Sequence, residues 1–140
     1  MLTNPSWKNV SEVISKVNAI PFYKTLSIRL VKIDEKGSTV KIRLKNKHKN
    51  MWDNVHGGVI ASLVDIACAL SVIPFLKDGE TMVSVVLQVQ YFAPAVVKGD
   101  LTGIGKVINQ GKRLMNTDAE ILDMDGHLVA KGTSVLRILK

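Results

Sequence analysis

Residues 57–76 read GGVIASLVDIACALSVIPFL, and a helix built from them is apolar on nearly every side. Such a helix is surrounded either by protein or by lipid. Twenty residues are enough to span a bilayer. Asp65, near the middle, argues against a span, because a carboxylate at the centre of a membrane helix costs about 2.5–3.5 kcal/mol on insertion scales. Pro74 weakens the far end, and the strand-like segments beyond it have no membrane role. The stretch is therefore expected to be a central helix, residues 57–76, inside a folded domain with a sheet curled around it.

The segments on either side supply that sheet. Two strands are expected over 27–34 and 38–44, joined by a turn at Glu35-Lys36-Gly37. Four more come after the helix, over about 82–92, 100–109, 114–123 and 127–139. Their separators carry turn chemistry: Pro94, Lys98-Gly99, Gln110-Gly111 and Asp125-Gly126. A first helix is expected within residues 1–20, capped by Asn4 with Pro5 at its first position, its apolar face Trp7, Val10, Val13, Ile14 and Val17, and broken at Pro21. A polar loop, 46–55, leads into the central helix. Consecutive strands with short turns and segregated helices give an α+β architecture with a largely antiparallel sheet. No repeat or linker divides residues 1–140, so one domain is expected.

Composition narrows the partners. Of 140 residues, 46% are apolar and 22% charged, which is globular usage. One cysteine, Cys68, allows no intrachain disulfide and fits a reducing compartment; its place in the apolar helix makes it a core residue. The first residues show no basic stretch followed by an apolar run, so a cytoplasmic protein is expected. The net charge of +7 favours a polyanionic partner. It is densest over residues 41–49, where alternation sets Lys41, Arg43 and Lys45 opposite Val40, Ile42 and Leu44. A solvated strand face and a phosphate contact both fit that stretch. No nucleic-acid motif or aromatic stacking platform accompanies it, so neither nucleic acid nor membrane is expected as a partner.

Asp65 is the only ionisable side chain between His56 and Lys77. A carboxylate in such surroundings must be hydrogen-bonded, neutralised or open to a cavity. Capping backbone amides is the plain role; catalysis is the sharper one. His56-Gly57-Gly58 at the helix start favours the second. A helix N-terminus offers unpaired N–H groups and partial positive charge to a developing oxyanion, and glycines 57 and 58 let a substrate carbonyl come close. Eight residues separate Gly57 from Asp65, about 12 Å along the axis and roughly 80° around it. One chain cannot grip a single substrate carbonyl carbon with both. A second helix, antiparallel beside the first, would bring Gly57 of one chain opposite Asp65 of the other, which predicts a homodimer with two symmetric sites.

The run Asn50, five residues, His56-Gly57-Gly58, six residues, Asp65 resembles the hotdog-fold acyl-CoA thioesterases of the phenylacetate-degradation type, the group that also holds acyl-CoA thioesterase 13. The similarity continues through Ser84, Tyr91-Phe92-Ala93-Pro94-Ala95, Lys98-Gly99-Asp100 and Gly111-Lys112-Arg113, and ends over 121–130. It covers about residues 20–139. The resemblance implies a hotdog fold and a dimer, often doubled to a tetramer, with its active site at the dimer interface. By matching position, the Gly57 amide polarises the thioester carbonyl and Asn50 and His56 help position it. From the other chain Asp65 acts as base or nucleophile, and Ser84 helps hold the water. Lys112 and Arg113 suit the phosphates of coenzyme A.

Two positions depart from the family. Asp53 stands where glycine is common, three places before the histidine, and Val86 stands where an acidic residue is common, two places after Ser84. The first bears on the loop around Asn50 and the second on the polarity of the site. The expected reaction is hydrolysis of an acyl-CoA, aryl or fatty, with no metal and no cofactor, coenzyme A being part of the substrate. A hotdog hydratase or dehydratase acting on enoyl or 3-hydroxyacyl thioesters is the nearest alternative. A non-catalytic acyl-CoA-binding protein is the next.

Overall fold

The computed structural model describes residues 9–140. Helix α1 spans Val10–Asn18, and Asn9 caps it by accepting the Glu12 amide at 3.2 Å. Val13 and Val17, one turn apart, are its buried residues. The Asn4-Pro5 start and Trp7 lie outside the described residues. Pro21 breaks the helical run as expected, but it also opens a short second helix, α2, over Pro21–Leu26. Proline suits a first helical turn, where its missing N–H has no partner to lose.

The strands are β1 (Ile28–Asp34), β2 (Gly37–Arg43), β3 (Thr81–Tyr91), β4 (Asp100–Gln110), β5 (Leu114–Leu122) and β6 (Leu128–Leu139). They form one six-stranded sheet in the order β1-β2-β4-β5-β6-β3, every neighbouring pair antiparallel. The apolar stretch forms α3, Gly57–Val72. At Pro74, where the α-helical hydrogen-bond ladder cannot continue, it passes into a single 3₁₀ turn, Ile73–Phe75. The sheet wraps around α3, which touches all six strands. This is the expected hotdog arrangement.

The wrap is tight. A Cβ on Gly105 would collide with the Ala67 carbonyl, and one on Gly132 with a Val64 methyl. Leu63, Val64, Ala67 and Cys68 are fully buried against Val40, Ile42 and Ile121. Gly57–Phe75 is long and apolar enough to cross a bilayer, with a mean hydropathy of 2.1, yet most of it is buried within the fold. It is apolar all round because protein surrounds it.

One irregularity governs the site. The pairing of β3 with β6 passes from Ser84↔Leu136 to Val86↔Val135, leaving Val85 unpaired as a β-bulge. Besides Val129, the buried residues of β6 are Ala130, Gly132, Ser134 and Leu136, which alternate onto one face. Their partners on β3 are Tyr91, Val89, Leu87 and Ser84, so these four side chains share the face turned toward α3.

Candidate active site

Asp65 lies half-buried on the side of α3 left open by the sheet, in a stripe with Gly58, Ala61, Ser62 and Ala69. Its Oδ1 accepts a hydrogen bond from the Ser84 hydroxyl at 2.9 Å. Among the described residues Oδ2 accepts none. The pair therefore holds one carboxylate oxygen in place and leaves the other open to a water.

At the start of α3, His56 is the cap. Its Nδ1 accepts the Gly58 amide at 2.9 Å, and its carbonyl accepts the amides of Val59 at 3.0 Å and Ile60 at 3.3 Å. A nitrogen that accepts carries no hydrogen, so the neutral ring holds its proton on Nε2. Of the two glycines, Gly57 alone keeps its N–H free among the described residues. Gly58 leaves room for the His56 ring, whose Nδ1 a Cβ at that position would meet at 3.1 Å.

Asn50 shows the same economy. Its side-chain oxygen accepts the amides of Trp52 at 2.9 Å and Asn54 at 3.2 Å, and its Nδ2 hydrogens have no partner among the described residues. The loop is tied back through His56 N–H to the His48 carbonyl at 2.7 Å and Val55 N–H to the Ala95 carbonyl at 2.8 Å. His48 itself is fully buried, its ring between the Lys45 amide at 2.9 Å and the Leu26 carbonyl at 2.8 Å. Gly57 N–H, Asn50 Nδ2 and His56 Nε2 are thus unengaged donors among the described residues, and Asp65 with Ser84 is an acceptor held in place.

Both departures from the family pattern have local answers. Asp53 adopts φ +64°, the conformation a glycine would take there, with Lys49 Nζ 3.2 Å from its carboxylate. The Asn50 loop therefore keeps its glycine-type turn. Val86 lies beyond the bulge, opposite Val135, and so turns away from the face that carries Ser84. It does not line the Asp65–Ser84 pair of its own chain.

Two tyrosines escaped the reading of the sequence. Tyr23, on α2, has its phenol pKa pushed up to about 12, first by burial and then by the nearby Asp65 charge. It stays protonated, as a donor, in the surroundings of that carboxylate. Tyr91, on β3, donates its hydroxyl to the Gly57 carbonyl at 2.8 Å. A six-residue helix is too short for periodicity to reveal, and the direction of Tyr91 depends on the bulge. Only the surrounding Tyr91–Ala95 motif gave a signal.

Lys112 and Arg113 are exposed on the β4–β5 hairpin, away from the start of α3. Lys112 borders an open cavity of about 260 Å³ with Phe75, Lys77, Glu80, Met115 and Ile138, beyond the C-terminal end of α3. In the basic stretch, Arg43 is paired with Asp100 at 2.7 Å, and Arg29 reaches the same carboxylate at 2.8 Å. Burial pushes the Cys68 thiol up to about 11, which keeps it out of nucleophilic chemistry. Among the described residues, Asp123, Asp125 and His127 are the one set close enough to share an ion. The Asp123 carboxylate is already engaged by the amides of Asp125 and His127, both at 2.9 Å, in the β5–β6 turn.

The sequence of residues 53–130, more than half of the chain, matches the family model described as the thioesterase superfamily. The chain belongs to the thioesterase superfamily. It is 29% identical over 93 residues to human acyl-coenzyme A thioesterase 13, covering 66% of each chain. A candidate esterase of Saccharolobus solfataricus is 28% identical over 133 residues, 95% of this chain and 92% of that one. In the same fold, a thioesterase from Haemophilus influenzae superposes with a TM-score of 0.83 at 17% identity, over 98% of this chain and 92% of its own. The matched span of this thioesterase-superfamily chain takes in His56, Gly57, Asp65, Ser84 and Tyr91. Its family is one of hydrolases.

Proposed function

We propose that the protein hydrolyses an acyl-CoA thioester to free acid and coenzyme A, at two sites each built from two copies of the chain. The observation that carries this reading is the division of labour along α3. Among the described residues a single free amide, Gly57, stands at the helix N-terminus, and a carboxylate with one open oxygen, Asp65, stands about 12 Å further on. The amide, helped by Asn50 Nδ2 and His56 Nε2, receives the negative charge that grows on the thioester oxygen. Asp65 of the partner subunit removes a proton from water as the water adds to the carbonyl carbon, with the partner's Ser84 holding Asp65 in position. Collapse of the tetrahedral species breaks the C–S bond, and the departing thiolate takes up a proton. No cofactor takes part.

The edge of the sheet supports the pairing. Strand β3 is 11 residues long, carries no charge and, among the described residues, borders no other strand on its outer side. Val83, Val85 and Leu87 are exposed along it. A long apolar edge of this kind is a liability unless a second chain covers it. The opposite edge, β1, carries Arg29, Lys32 and Asp34 and needs no such cover. Two β3 edges paired antiparallel about Leu87–Gln88 would bring Ser84 of one chain to the level of Tyr91 of the other, and so Asp65 toward Gly57 of the partner subunit. We propose further that Lys112 and Arg113 meet coenzyme A phosphates, and that such dimers can pair again.

The test is a panel of aryl, short-chain and long-chain acyl-CoAs with detection of released thiol, run on the wild type and on Asp65→Ala. Wild type should release thiol from at least one class, and Asp65→Ala should lower kcat by about 10²–10⁴-fold, the range for a lost general base. An enoyl-CoA whose absorbance changes with no release of thiol would mark a hydratase instead. An Asp65→Ala protein within a few-fold of wild type would remove that carboxylate from the mechanism.

A further inference from the structure

We propose that Tyr91 is a positioning residue for the Gly57 amide, clamping the 57–58 peptide together with His56, and that the bulge at Val85 exists to let one strand hold both ends of the site. The proposal rests on the thioesterase reading for its kinetic consequence, though not for its geometry.

The 57–58 peptide joins two glycines, the most permissive backbone pair a helix start can have. An oxyanion donor works only when it is already fixed where charge develops. Here the peptide next to the free donor is held from both directions. Its N–H donates to His56 Nδ1 at 2.9 Å, and its C=O accepts the Tyr91 hydroxyl at 2.8 Å. The ring adds contact: Cζ and Cε1 of Tyr91 stand 3.5 and 3.6 Å from where a Gly57 Cβ would be. The Tyr91 ring thus lies alongside the bare Gly57 backbone at ordinary van der Waals distance and restrains it from that side. Because it bonds to the carbonyl, the Gly57 N–H stays free.

Core packing does not explain the contact. Tyr91 is 51% exposed, so its hydroxyl has water within reach and yet turns to the helix. Strand geometry makes that turn informative. Ser84 and Tyr91 are seven residues apart, and side chains an odd number apart point to opposite faces of a regular strand. The unpaired Val85 changes the parity between them. Both then face α3, Ser84 reaching Asp65 and Tyr91 reaching Gly57. Without the bulge, β3 could hold the acid or the amide but not both.

The decisive variant is Tyr91→Phe, which keeps the ring and removes one hydroxyl. Losing one hydrogen bond to a positioned group should lower kcat about five- to tenfold, while KM stays within about twofold, because the donor's placement matters most in the transition state. Melting temperature should hold within about 2 °C, since the bond is exposed. Amide hydrogen exchange read by NMR should quicken at Gly58, whose bond to His56 the clamp supports, and stay unchanged at Ile121 in the core. A wild-type kcat in Tyr91→Phe overturns the proposal, as does a loss of kcat matched by a fall in melting temperature of several degrees. If the wild type releases no thiol from any acyl-CoA, the functional reading has failed. Gly58 exchange then decides the clamp alone, and an unchanged rate refutes it.

Discussion

Asp53 shows how a single residue can depart from a family pattern and keep its consequence. At φ +64° it occupies the left-handed region, where an L-residue is strained by about 1–2 kcal/mol, and least so when it is Asn or Asp. Glycine would relieve that strain, but it would cost about 0.5–1 kcal/mol of backbone entropy on folding. The ion pair with Lys49 adds little, because the Asp53 side chain is largely exposed. The terms nearly cancel. Asp53→Gly should therefore shift stability by less than about 0.5 kcal/mol, whereas Asp53→Val, β-branched, should cost about 1–2 kcal/mol. The valine variant should also raise KM, since the turn it strains carries Asn50. Urea midpoints and thiol-release kinetics on the two variants check both halves; equal stabilities would mean that the turn does not need its left-handed residue. The sequence alone raised the question at Asp53 but could not answer it, because asparagine-like tolerance of positive φ is a property of the folded turn.

Among the elements, legibility depended on how locally each is encoded. The strands were set by turn residues at Gly37, Gly99, Gly111 and Gly126, and observed ends fall within a residue or two of those expected. The central helix announced itself through composition. Helix α2 was missed because six residues hold less than two turns of pattern. The bulge was invisible because an extra valine among valines leaves no mark; it exists only relative to β6. Hence Asp65, His56 and Gly57 could be read from one helix, while the part played by Tyr91 could not. The β4–β5 hairpin lies between these cases. Its Lys112-Arg113 pair was legible as basic and remains open as a site. Arg113 holds β6 through its main-chain carbonyl, which accepts the Ile138 amide at 2.8 Å, so changing both side chains to Ala leaves that bond intact. If they meet coenzyme A phosphates, the double variant should raise KM more than it lowers kcat. The difference from wild type should narrow at high salt, as exposed charges are screened. An unchanged KM at low salt would assign the pair to the solvated hairpin.

At the scale of the whole molecule the decisive question is whether one chain can work alone. Strand β3 ties Ser84 to Asp65 at one end and Tyr91 to Gly57 at the other, so within a chain the acid and the donor amide are fixed apart on the same rigid pair of elements. About 12 Å of helix lies between them, and no rotamer of Asp65 closes it. A second chain related by a two-fold axis removes the problem at both sites at once. The consequence can be tested by mixing two inactive proteins, one carrying Asn50→Ala with His56→Ala and the other carrying Asp65→Ala. In a heterodimer one site collects every defect and the other collects none. Random reassortment after denaturation and refolding makes about half of the dimers mixed, each with one sound site of two, so roughly a quarter of wild-type activity should return if the sites are independent. Wild type carried through the same cycle sets the refolding yield, and the two parents refolded separately set the floor. Mixtures that stay at that floor while wild type recovers would place the acid and the amide in one chain, and Asp65 would then have to reach a thioester through a rearrangement of α3 against β3.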